Sequence, residues 1–168
     1  MSTESQSSFT IRRADSNDGE AIVACLAAAF APYYNNYTLA AFTDTVLDPK
    51  LVQHRLREMC VFVAVSEGNV VGTAACTARG EEGHLRGMAV LPDRQGSGVA
   101  SALLQAAEAE IRNQRCTRVT LDTTEPLTRA MRFYRAMALH YLVGSQIFSG
   151  CRCTNGSSFS EVMVFAAR

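Results

Sequence analysis

The sequence predicts a single mixed α/β domain, and three observations lead to that prediction. A chain of 168 residues has the usual length of one domain. Its composition, 48% hydrophobic and 19% charged, is that of a chain with a packed core. Helical and strand patterns alternate along the chain in the order β-α-α-α-β-β-β-α-β-α-β-β. We expect residues 1–8 to be a disordered or extended tail and residues 9–168 to form the domain.

The first half of the chain predicts a strand, three helices and a hairpin. Apolar and polar residues alternate in the first strand, and Asp, Ser, Asn and Thr residues offer N-caps ahead of the helical runs. Two β-branched segments on either side of Glu67-Gly68-Asn69 have the composition of a hairpin. In chain order we expect a strand over 9–14, a helix over 21–30 stopped by Pro32, a loop carrying three tyrosines, a helix capped by Thr38, a helix opened by Asp48-Pro49 and running to Met59, and the hairpin.

The second half predicts further alternation of strands and helices. Pro92 ends a strand, and the long helix that follows has Ala and Leu on one face. In chain order we expect a strand over 84–91, helices over 99–113 and 127–137 separated by a strand over 118–123, and closing strands over 141–148 and 159–166.

Charge and hydropathy exclude some classes of function. Sixteen basic and sixteen acidic residues give no net charge, so the chain lacks the basic surface of a dedicated nucleic-acid or polybasic membrane-binding protein. The N-terminal segment is polar, and no apolar run reaches the length of a membrane span. We expect a cytoplasmic protein with no nucleic-acid and no membrane partner.

The six cysteines predict neither disulfides nor a metal site. Four of them, Cys25, Cys60, Cys76 and Cys116, occur where a free thiol behaves as a small buried hydrophobic group. Cys151 and Cys153 form a CxC in a segment with the composition of a loop. That spacing is too tight for the common zinc motifs, and no second ligand pair lies nearby in sequence.

The segment from Arg86 to Ser101 carries the clearest chemical signal. A strand ends at Pro92, Gly96 and Gly98 follow, and a long helix begins. Glycines allow successive backbone N–H groups to converge on one point, and the helix N-terminus adds its positive dipole end. The pattern predicts a phosphate site, although a merely flexible loop has a similar composition. The loop has no lysine, which excludes a P-loop, and Ser101 occupies the third glycine position of a dinucleotide fingerprint.

The same segment resembles the GNAT superfamily of N-acetyltransferases. Gln95-Gly-Ser-Gly98-Val-Ala100 fits that family's Q/R-x-x-G-x-G/A pattern, and Met88-Ala-Val-x-Pro92 precedes it at the family's spacing. The resemblance extends over nearly the whole chain and implies the GNAT fold: a twisted, mostly antiparallel mixed sheet of about seven strands flanked by helices. It implies acetyl-CoA as the donor and no metal. The residues that it assigns to CoA are Met88 and Val90 for the pantetheine arm, and Gln95, Gly96, Ser97, Gly98, Val99, Ala100 and Ser101 for the pyrophosphate.

Acyl transfer to an amine requires an acid and a base. An alkyl amine with a pKa near 10 must lose a proton to attack, and the leaving thiolate benefits from a proton donor. The resemblance assigns the donor role to Tyr134, unless Phe133 and Tyr134 simply pack their helix on the sheet. His84, six residues before Val90 and therefore expected on the same strand face, is our candidate base, with an ordered water as the alternative.

The context of His84 supports this candidate and supplies its competitors. His84-Leu-Arg-Gly-Met-Ala-Val resembles the HLHALAV strand of serotonin N-acetyltransferases, with Arg86 in place of the second histidine. A solvated histidine just after a turn is the other interpretation. Glu81 and Glu82 compete for the role of base, but we expect both to be solvated turn residues. His54 and His140 are expected to be structural, one on a helix face and one at a helix end.

The late helix departs from the family's pattern. Leu127 occupies the position of an asparagine that commonly contacts CoA, and Ala138-Leu139 replaces a Gly-Phe turn. Arg129 is a candidate to reach the CoA phosphates instead. These departures leave a non-catalytic acyl-CoA-binding module as an alternative function.

The acceptor cannot be identified from the sequence. Tyr33, Tyr34 and Tyr37 would give aromatic walls to an amine site, or would cover the edge of the core, and the family's acceptor regions map to 31–38 and 148–159. The expected function is acetyl-CoA-dependent acetylation of the primary amine of a small molecule by direct attack in a ternary complex, with a protein or peptide acceptor as the alternative. A homodimer through the last strands is also an expectation.

Overall fold

The strands of the chain form one sheet in the order β1-β2-β3-β4-β5-β7-β6. The computed structural model describes the backbone of residues 8–124, 127–141, 148–154 and 158–166. Side chains are described over 8–121 and at 127–130, 132–134, 136 and 137. The expected tail lies outside these residues except for Ser8. The strands are β1 (Thr10–Arg13), β2 (Cys60–Ser66), β3 (Asn69–Arg79), β4 (Glu82–Val90), β5 (Arg118–Thr124), β6 (Phe148–Thr154) and β7 (Ser158–Ala166).

The described residues form five α-helices between these strands, and polar caps define where the early ones begin. Thr38 Oγ1 accepts the N–H of Ala41 at 3.2 Å, and Asp48 Oδ1 accepts the N–H groups of Lys50 and Leu51 at 2.8 and 2.7 Å. Each bond satisfies a donor that has no partner within the helix. The helices are α1 (Gly19–Phe30), α2 (Leu39–Val46), α3 (Pro49–Glu58), α4 (Val99–Asn113) and α5 (Thr128–Tyr141).

The core lies on both faces of the sheet. Helices α1 and α3 cover one face, where Ile22, Leu26 and Val52 pack on side chains of β2, β3 and β4. Helix α4 covers the other face through Leu103, Leu104, Ala107 and Ile111, with Phe133, Tyr134 and Met137 of α5 beside them. Strand β4 is therefore buried from both sides, and its two faces belong to different layers of the molecule.

A β-bulge interrupts strand β4 at Gly87. Thr73 of β3 pairs with Ala89 while Ala75 pairs with Arg86, so two residues of β4 oppose the single residue Ala74. Gly87 has φ +61°, the left-handed conformation that glycine supplies in bulges of this kind. One extra residue reverses the alternation of side chains, so His84 and Val90 lie on opposite faces. The expectation that they share a face is therefore wrong.

The sheet opens between β4 and β5. The two strands pair in parallel only from Glu82 opposite Arg118 to Leu85 opposite Leu121. Beyond this point β4 continues to Val90 and β5 to Thr124 without pairing to one another. The sheet therefore offers unpaired strand backbone of β4 next to the start of α4.

The structure confirms the predicted fold class, with seven strands in a mixed sheet in which β4 and β5 form the parallel pair. The helix predicted over 99–113 is α4, and His140 lies near the end of α5 as expected. Cys25, Cys60, Cys76 and Cys116 are buried and free. Burial raises the pKa of the Cys25 thiol to about 11 and that of Cys76 to about 12, so both stay protonated at neutral pH. No helix in the described part of the chain is long and apolar enough to cross a membrane.

Three local predictions are wrong. The strand predicted over 141–148 is wrong at Tyr141, which ends α5, whereas Phe148 does begin a strand, β6. Residues 142–147 of that prediction lie outside the described residues. Cys151 and Cys153 lie in β6, not in a loop, because pairing with β7 overrides their loop-like small and polar neighbours. The tyrosine-rich segment is a 3-10 helix over Ala31–Asn36, with Pro32 at its start.

Candidate active site

The glycine loop has the backbone geometry of an anion cradle. Gly96 and Gly98 both have φ +86°, and an added Cβ on either would meet nothing within 4 Å. Helix α4 begins directly afterwards at Val99, where the first N–H groups have no partner within the helix. Bare backbone donors and the positive end of a helix dipole therefore face open space, which suits a phosphate group.

Two side-chain bonds hold this loop against the end of β4. Ser97 Oγ donates to the carbonyl oxygen of Arg94 at 2.6 Å, and Gln95 Nε2 donates to the carbonyl oxygen of Val90 at 3.2 Å. The glycines allow the turn, and these two bonds select one conformation of it. The cradle is thus preorganised and not merely flexible.

The cradle opens into a cavity of about 420 Å³ that also receives α5. This volume lies within the usual range for small-molecule sites, roughly 300–1,000 Å³. We call it the glycine-loop cavity. Its walls come from the end of α1, β4, the glycine loop and α5: Ala29, Phe30, Tyr33, Met88, Ala89, Val90, Gln95, Gly96, Gly98, Ala100, Ser101, Leu127, Arg129, Ala130, Phe133 and Tyr134.

The structure therefore brings most of the residues predicted for the cofactor into one cavity with Tyr134. Tyr134 is half-buried, and its ring makes an edge contact with Phe133 at 5.4 Å between centroids. Burial raises the pKa of the Tyr134 hydroxyl above its ordinary value near 10, so the group is a neutral proton donor across the physiological range. Leu127 and Arg129 line the same cavity, whereas the side chains of Ala138 and Leu139 lie outside the described residues.

A second cavity, of about 460 Å³, lies on the other side of Gly87. We call it the arginine cavity. It is set between helices α2 and α3 and strands β3 and β4, on the face of the sheet that carries α1. Its lining residues are Asp44, Leu47, Leu51, His54, Arg55, Glu58, Met59, Thr77, Arg79, Glu82, His84 and Arg86.

His84 lies in the arginine cavity and not beside Tyr134. Its Nδ1 is 2.9 Å from the hydroxyl oxygen of Thr120, a buried residue directly opposite on β5. That hydroxyl is also within reach of two groups that only accept, Glu82 Oε1 at 3.3 Å and the Gly83 carbonyl oxygen at 3.4 Å. A hydroxyl has one proton to donate, so this arrangement favours His84 with its proton on Nδ1 and its lone pair on Nε2.

The two glutamates that compete with His84 differ from the prediction in one respect. Glu81 is exposed in the turn as expected, and its carbonyl oxygen accepts the N–H of Thr117 at 2.8 Å. Glu82 is not a solvated turn residue: it begins β4, and its carboxylate accepts from Arg118 Nε at 3.0 Å. Glu82 Oε1 is also within reach of the Thr120 hydroxyl, which in turn contacts His84 Nδ1. Glu82 is therefore linked to His84 through Thr120.

Sequence analysis missed Arg55, the most buried charged side chain of the arginine cavity. Arg55 is 7% exposed, and its Nη2 donates to the carbonyl oxygen of Asp44 at 3.5 Å. Burial, with the nearby Arg86, lowers the pKa of Arg55 to about 10, so it stays charged at neutral pH. The available signal was its position three residues after Val52, on the apolar stripe of α3, where a charged residue is unusual.

The three tyrosines proposed for the acceptor have different surroundings. Tyr33 lines the glycine-loop cavity. Tyr34 is 53% exposed and packs edge-on against Phe42, and Tyr37 contacts Phe30 and Phe42. Tyr34 and Tyr37 thus pack in an aromatic cluster, while Tyr33 meets the glycine-loop cavity. His54 is exposed on α3 at the rim of the arginine cavity.

The chain matches a known protein family over the region that contains the glycine loop and strand β4. The sequence profile of the Acetyltransferase (GNAT) family matches residues 15–138, a span that runs from before α1 into α5. The chain therefore belongs to the GNAT acetyltransferase family and is an acyltransferase. No match was found among curated protein sequences.

Solved structures share the fold over nearly the whole chain. The PaiA N-acetyltransferase of Thermoplasma acidophilum, solved in complex with coenzyme A, has a TM-score of 0.75 at 14% identity and covers 95% of this chain and 99% of its own. A GNAT-family acetyltransferase of Staphylococcus aureus Mu50 gives 0.74 at 13% identity, with 96% and 100% covered. The ribosomal-protein-S18-alanine N-acetyltransferase of Escherichia coli gives 0.69 at 18% identity, with 95% and 94% covered.

Proposed function

We propose that this protein is an acetyl-CoA-dependent N-acetyltransferase that acetylates the primary amine of a small molecule by direct attack in a ternary complex. The observation that carries the proposal is the meeting of an open glycine cradle, the unpaired end of β4 and Tyr134 in one cavity. A phosphate site, an extended strand edge and a proton donor are the three features that acyl transfer from CoA requires.

The cradle and β4 account for binding of the cofactor. The amides over Gln95–Ser101 would hold the pyrophosphate, and the backbone of Met88 and Val90 would bind the pantetheine arm as an added strand does. When bound, acetyl-CoA supplies an activated acetyl group as a thioester. The Val90 carbonyl already accepts from Gln95, so the Met88 backbone is the principal site for pairing with the pantetheine amides. Arg129 borders the cavity, in a position to compensate for Leu127.

Tyr134 acts as the general acid. When the amine nitrogen attacks the acetyl carbon, the carbon–sulfur bond breaks and the sulfur leaves as a thiolate, which takes the phenolic proton. A thiol has a pKa near 8.5, so the transfer from a phenol is uphill in the ground state. Burial among apolar neighbours disfavours a lasting charge on either group, so proton transfer coincides with departure of the sulfur.

His84 acts as the base, directly or through an ordered water. The bond of its Nδ1 to Thr120 orients the ring, and the lone pair of Nε2 receives the proton that the amine must lose. His84 and Tyr134 line two different cavities, each of which includes residues of β4, so the base serves the acceptor and the acid serves the donor from separate cavities. This arrangement suits an acceptor and a donor bound at the same time.

Thiol release tests the proposal. The protein is incubated with acetyl-CoA and a panel of primary amines, and free CoA thiol is measured over time. We expect acceptor-dependent release for at least one amine and none without protein. Calorimetric binding of acetyl-CoA with no release over any small amine would overturn the proposal, and the same assay on a peptide array would then separate a protein acetyltransferase from a non-catalytic acyl-CoA-binding module.

A further inference from the structure

Arg55 presents a buried positive charge with little to neutralise it. Arg55 is only 7% exposed. Within the described residues, the one hydrogen bond of its guanidinium is the 3.5 Å contact with the Asp44 carbonyl oxygen. A guanidinium has five N–H donors. Removing a charged group from water costs on the order of several kcal/mol, unless polar partners in the protein replace the water.

The charges around Arg55 do not balance. Arg86 and Asp44 are the two charged groups that act on the Arg55 guanidinium, and Asp44 is already paired with Arg86. Two guanidiniums therefore share one carboxylate, which leaves a local charge of one positive unit. Glu58 and Arg79, which carry opposite charges, also line the cavity, and Glu82, the remaining carboxylate of the lining, is paired with Arg118.

The backbone of β4 is shaped to admit the head of Arg55. A Cβ added to Gly87 would lie 2.3 Å from Arg55 Nη1, so the guanidinium rests directly on the bulge. Arg86 on one side of Gly87 lines the arginine cavity, and Met88 on the other side lines the glycine-loop cavity. Only Gly87 separates Arg86 from Met88 in the chain, so the two cavities border adjacent stretches of β4.

We propose that the acceptor is a primary amine that carries a carboxylate, and that this carboxylate binds between Arg55 and Arg86 in the arginine cavity. The inference rests on the proposed function and specifies its substrate class. A carboxylate there completes a quartet of two guanidiniums and two carboxylates, and it places the rest of the acceptor beside His84, which lines the same cavity. Guanidiniums bind carboxylates through paired, charge-assisted hydrogen bonds.

The local charge favours a carboxylate over a phosphate. One carboxylate neutralises a single positive unit, whereas a phosphate monoester carries close to two negative charges at neutral pH and would add repulsion with Asp44. O-Phosphoethanolamine, a small phosphorylated primary amine, is therefore included in the test as the competing anion.

Calorimetric titration tests the inference independently of catalysis. The full chain, saturated with CoA, is titrated with the common L-amino acids, their carboxamides, amines that lack the carboxyl group, and O-phosphoethanolamine. We expect at least one amino acid to bind, its carboxamide to bind roughly 10- to 100-fold more weakly, in line with the loss of a charge-assisted pair, and the phosphorylated amine to bind more weakly than the acid. Equal binding of acid and carboxamide, no binding by any acid, or tighter binding of O-phosphoethanolamine overturns the inference.

Three arginine variants assign the effect to the cavity. Arg55→Met and Arg86→Met should each weaken binding of the acid by roughly 10-fold or more and leave the carboxamide unchanged. Arg57→Met is the matched control: Arg57 is an exposed arginine of the same helix that does not line the cavity, and its loss should change neither. If Arg55→Met does not fold, Arg86→Met decides, because the Arg86 side chain is 46% exposed and its replacement disturbs the core less. Wild-type affinity for the acid in Arg86→Met overturns the inference.

Thiol release distinguishes this inference from the proposed function. Turnover with amines but no preference for acids contradicts the inference and leaves acetyl transfer standing. Arginine-dependent binding of acids with no thiol release from any of them contradicts acetyl transfer and leaves the carboxylate site standing as a ligand site.

Discussion

The two cavities that flank Gly87 present different groups to an anion. The glycine-loop cavity presents backbone N–H groups around Gly96 and Gly98, held in place by two local side-chain bonds. The arginine cavity presents the side chains of Arg55 and Arg86, brought together from α3 and β4. The first is built from consecutive residues and the second from residues distant in sequence, which explains why one is visible in the sequence and the other is not.

The comparison also explains how the proposed binding of CoA is compatible with a chain that has no net charge. Backbone dipoles carry no formal charge, so the cradle contributes nothing to the balance of basic and acidic residues. The positive charge of the arginine cavity is equally invisible, because acidic residues elsewhere cancel it in the total. A net charge of zero excludes an extended basic surface, but it carries no information about either site.

The largest expected effect concerns the proton donor of the glycine-loop cavity. Tyr134→Phe should lower kcat by roughly 100-fold, the usual contribution of a general acid, while the Kd of acetyl-CoA stays within about two-fold because the ring is kept. Thiol release and calorimetry measure the two quantities. An unchanged kcat would remove Tyr134 as the acid.

The pH dependence of the wild type gives a second measurement on the same residue. Burial raises the pKa of Tyr134 above its ordinary value, and a donor is functional below its pKa, so its proton remains available up to and beyond pH 10. We therefore expect that titration of Tyr134 causes no fall in the kcat of the wild type below pH 10. A descending limb centred below pH 10 and absent from the variant would contradict the assigned environment.

The next effect tests the backbone cradle against a matched glycine. Gly98 and Gly68 have φ +86° and +79°, and an added Cβ meets nothing within 4 Å at either. Alanine at either position should therefore cost a similar left-handed strain of about 1–2 kcal/mol. Gly98→Ala alone should raise the Kd of CoA, by roughly 10-fold, because its methyl group occupies the approach of the pyrophosphate.

Thermal unfolding and calorimetry on both variants separate strain from binding. If both variants lose a similar amount of Tm and only Gly98→Ala raises the Kd of CoA, the result supports the cradle. Equal Kd values in the two variants would show that the loop acts through stability alone.

A second matched pair tests the arginine cavity. Gly87 and Gly80 have φ +61° and +59°, but an added Cβ meets Arg55 Nη1 at 2.3 Å in the first and nothing in the second. Both alanine variants should lose stability through left-handed strain, and Gly87→Ala should lose more because the buried Arg55 head must also shift. Gly87→Ala alone should raise the KM of a carboxylate acceptor, by roughly 5-fold, because the Arg55 head is displaced from its position on the bulge. An equal KM in the two variants would show that the position of Arg55 is irrelevant to the acceptor.

The part of this molecule that the sequence predicts is the part governed by local rules. Caps and prolines fix where α2 and α3 begin, the glycine spacing predicts the cradle, and the position of Tyr134 follows from the family's pattern. What fails depends on pairing between distant segments. The bulge at Gly87 is a matter of register with β3, and it moves His84 to the opposite face from Val90 although the spacing of six indicates the same face.

The surroundings of the charged groups also depend on contacts between distant segments, so the sequence does not predict them. Glu82 has the sequence context of a solvated turn residue, and only the parallel pairing of β4 with β5 brings Arg118 and Thr120 against it. The position of Arg55 on the apolar stripe of α3 is a local signal of its burial. Its contact with the bulge at Gly87 follows from the packing of α3 on the sheet, which no local pattern records.

The smallest effect concerns Thr120, a positioning residue that acts through His84. Thr120→Val keeps the shape of this 5%-exposed side chain but removes the hydroxyl that bonds His84 Nδ1. We expect kcat to fall about three-fold, well below the roughly 100-fold loss expected for His84→Gln as loss of a general base. Thr120→Ser should restore the wild-type kcat. Because the hydroxyl acts only by orienting His84, Thr120→Val should have no further effect on kcat in the His84→Gln background, so the double-mutant cycle must be non-additive. Two independent, additive losses would mean that Thr120 merely supports the packing of β5, and the line from Glu82 through Thr120 to His84 would then have no role in catalysis.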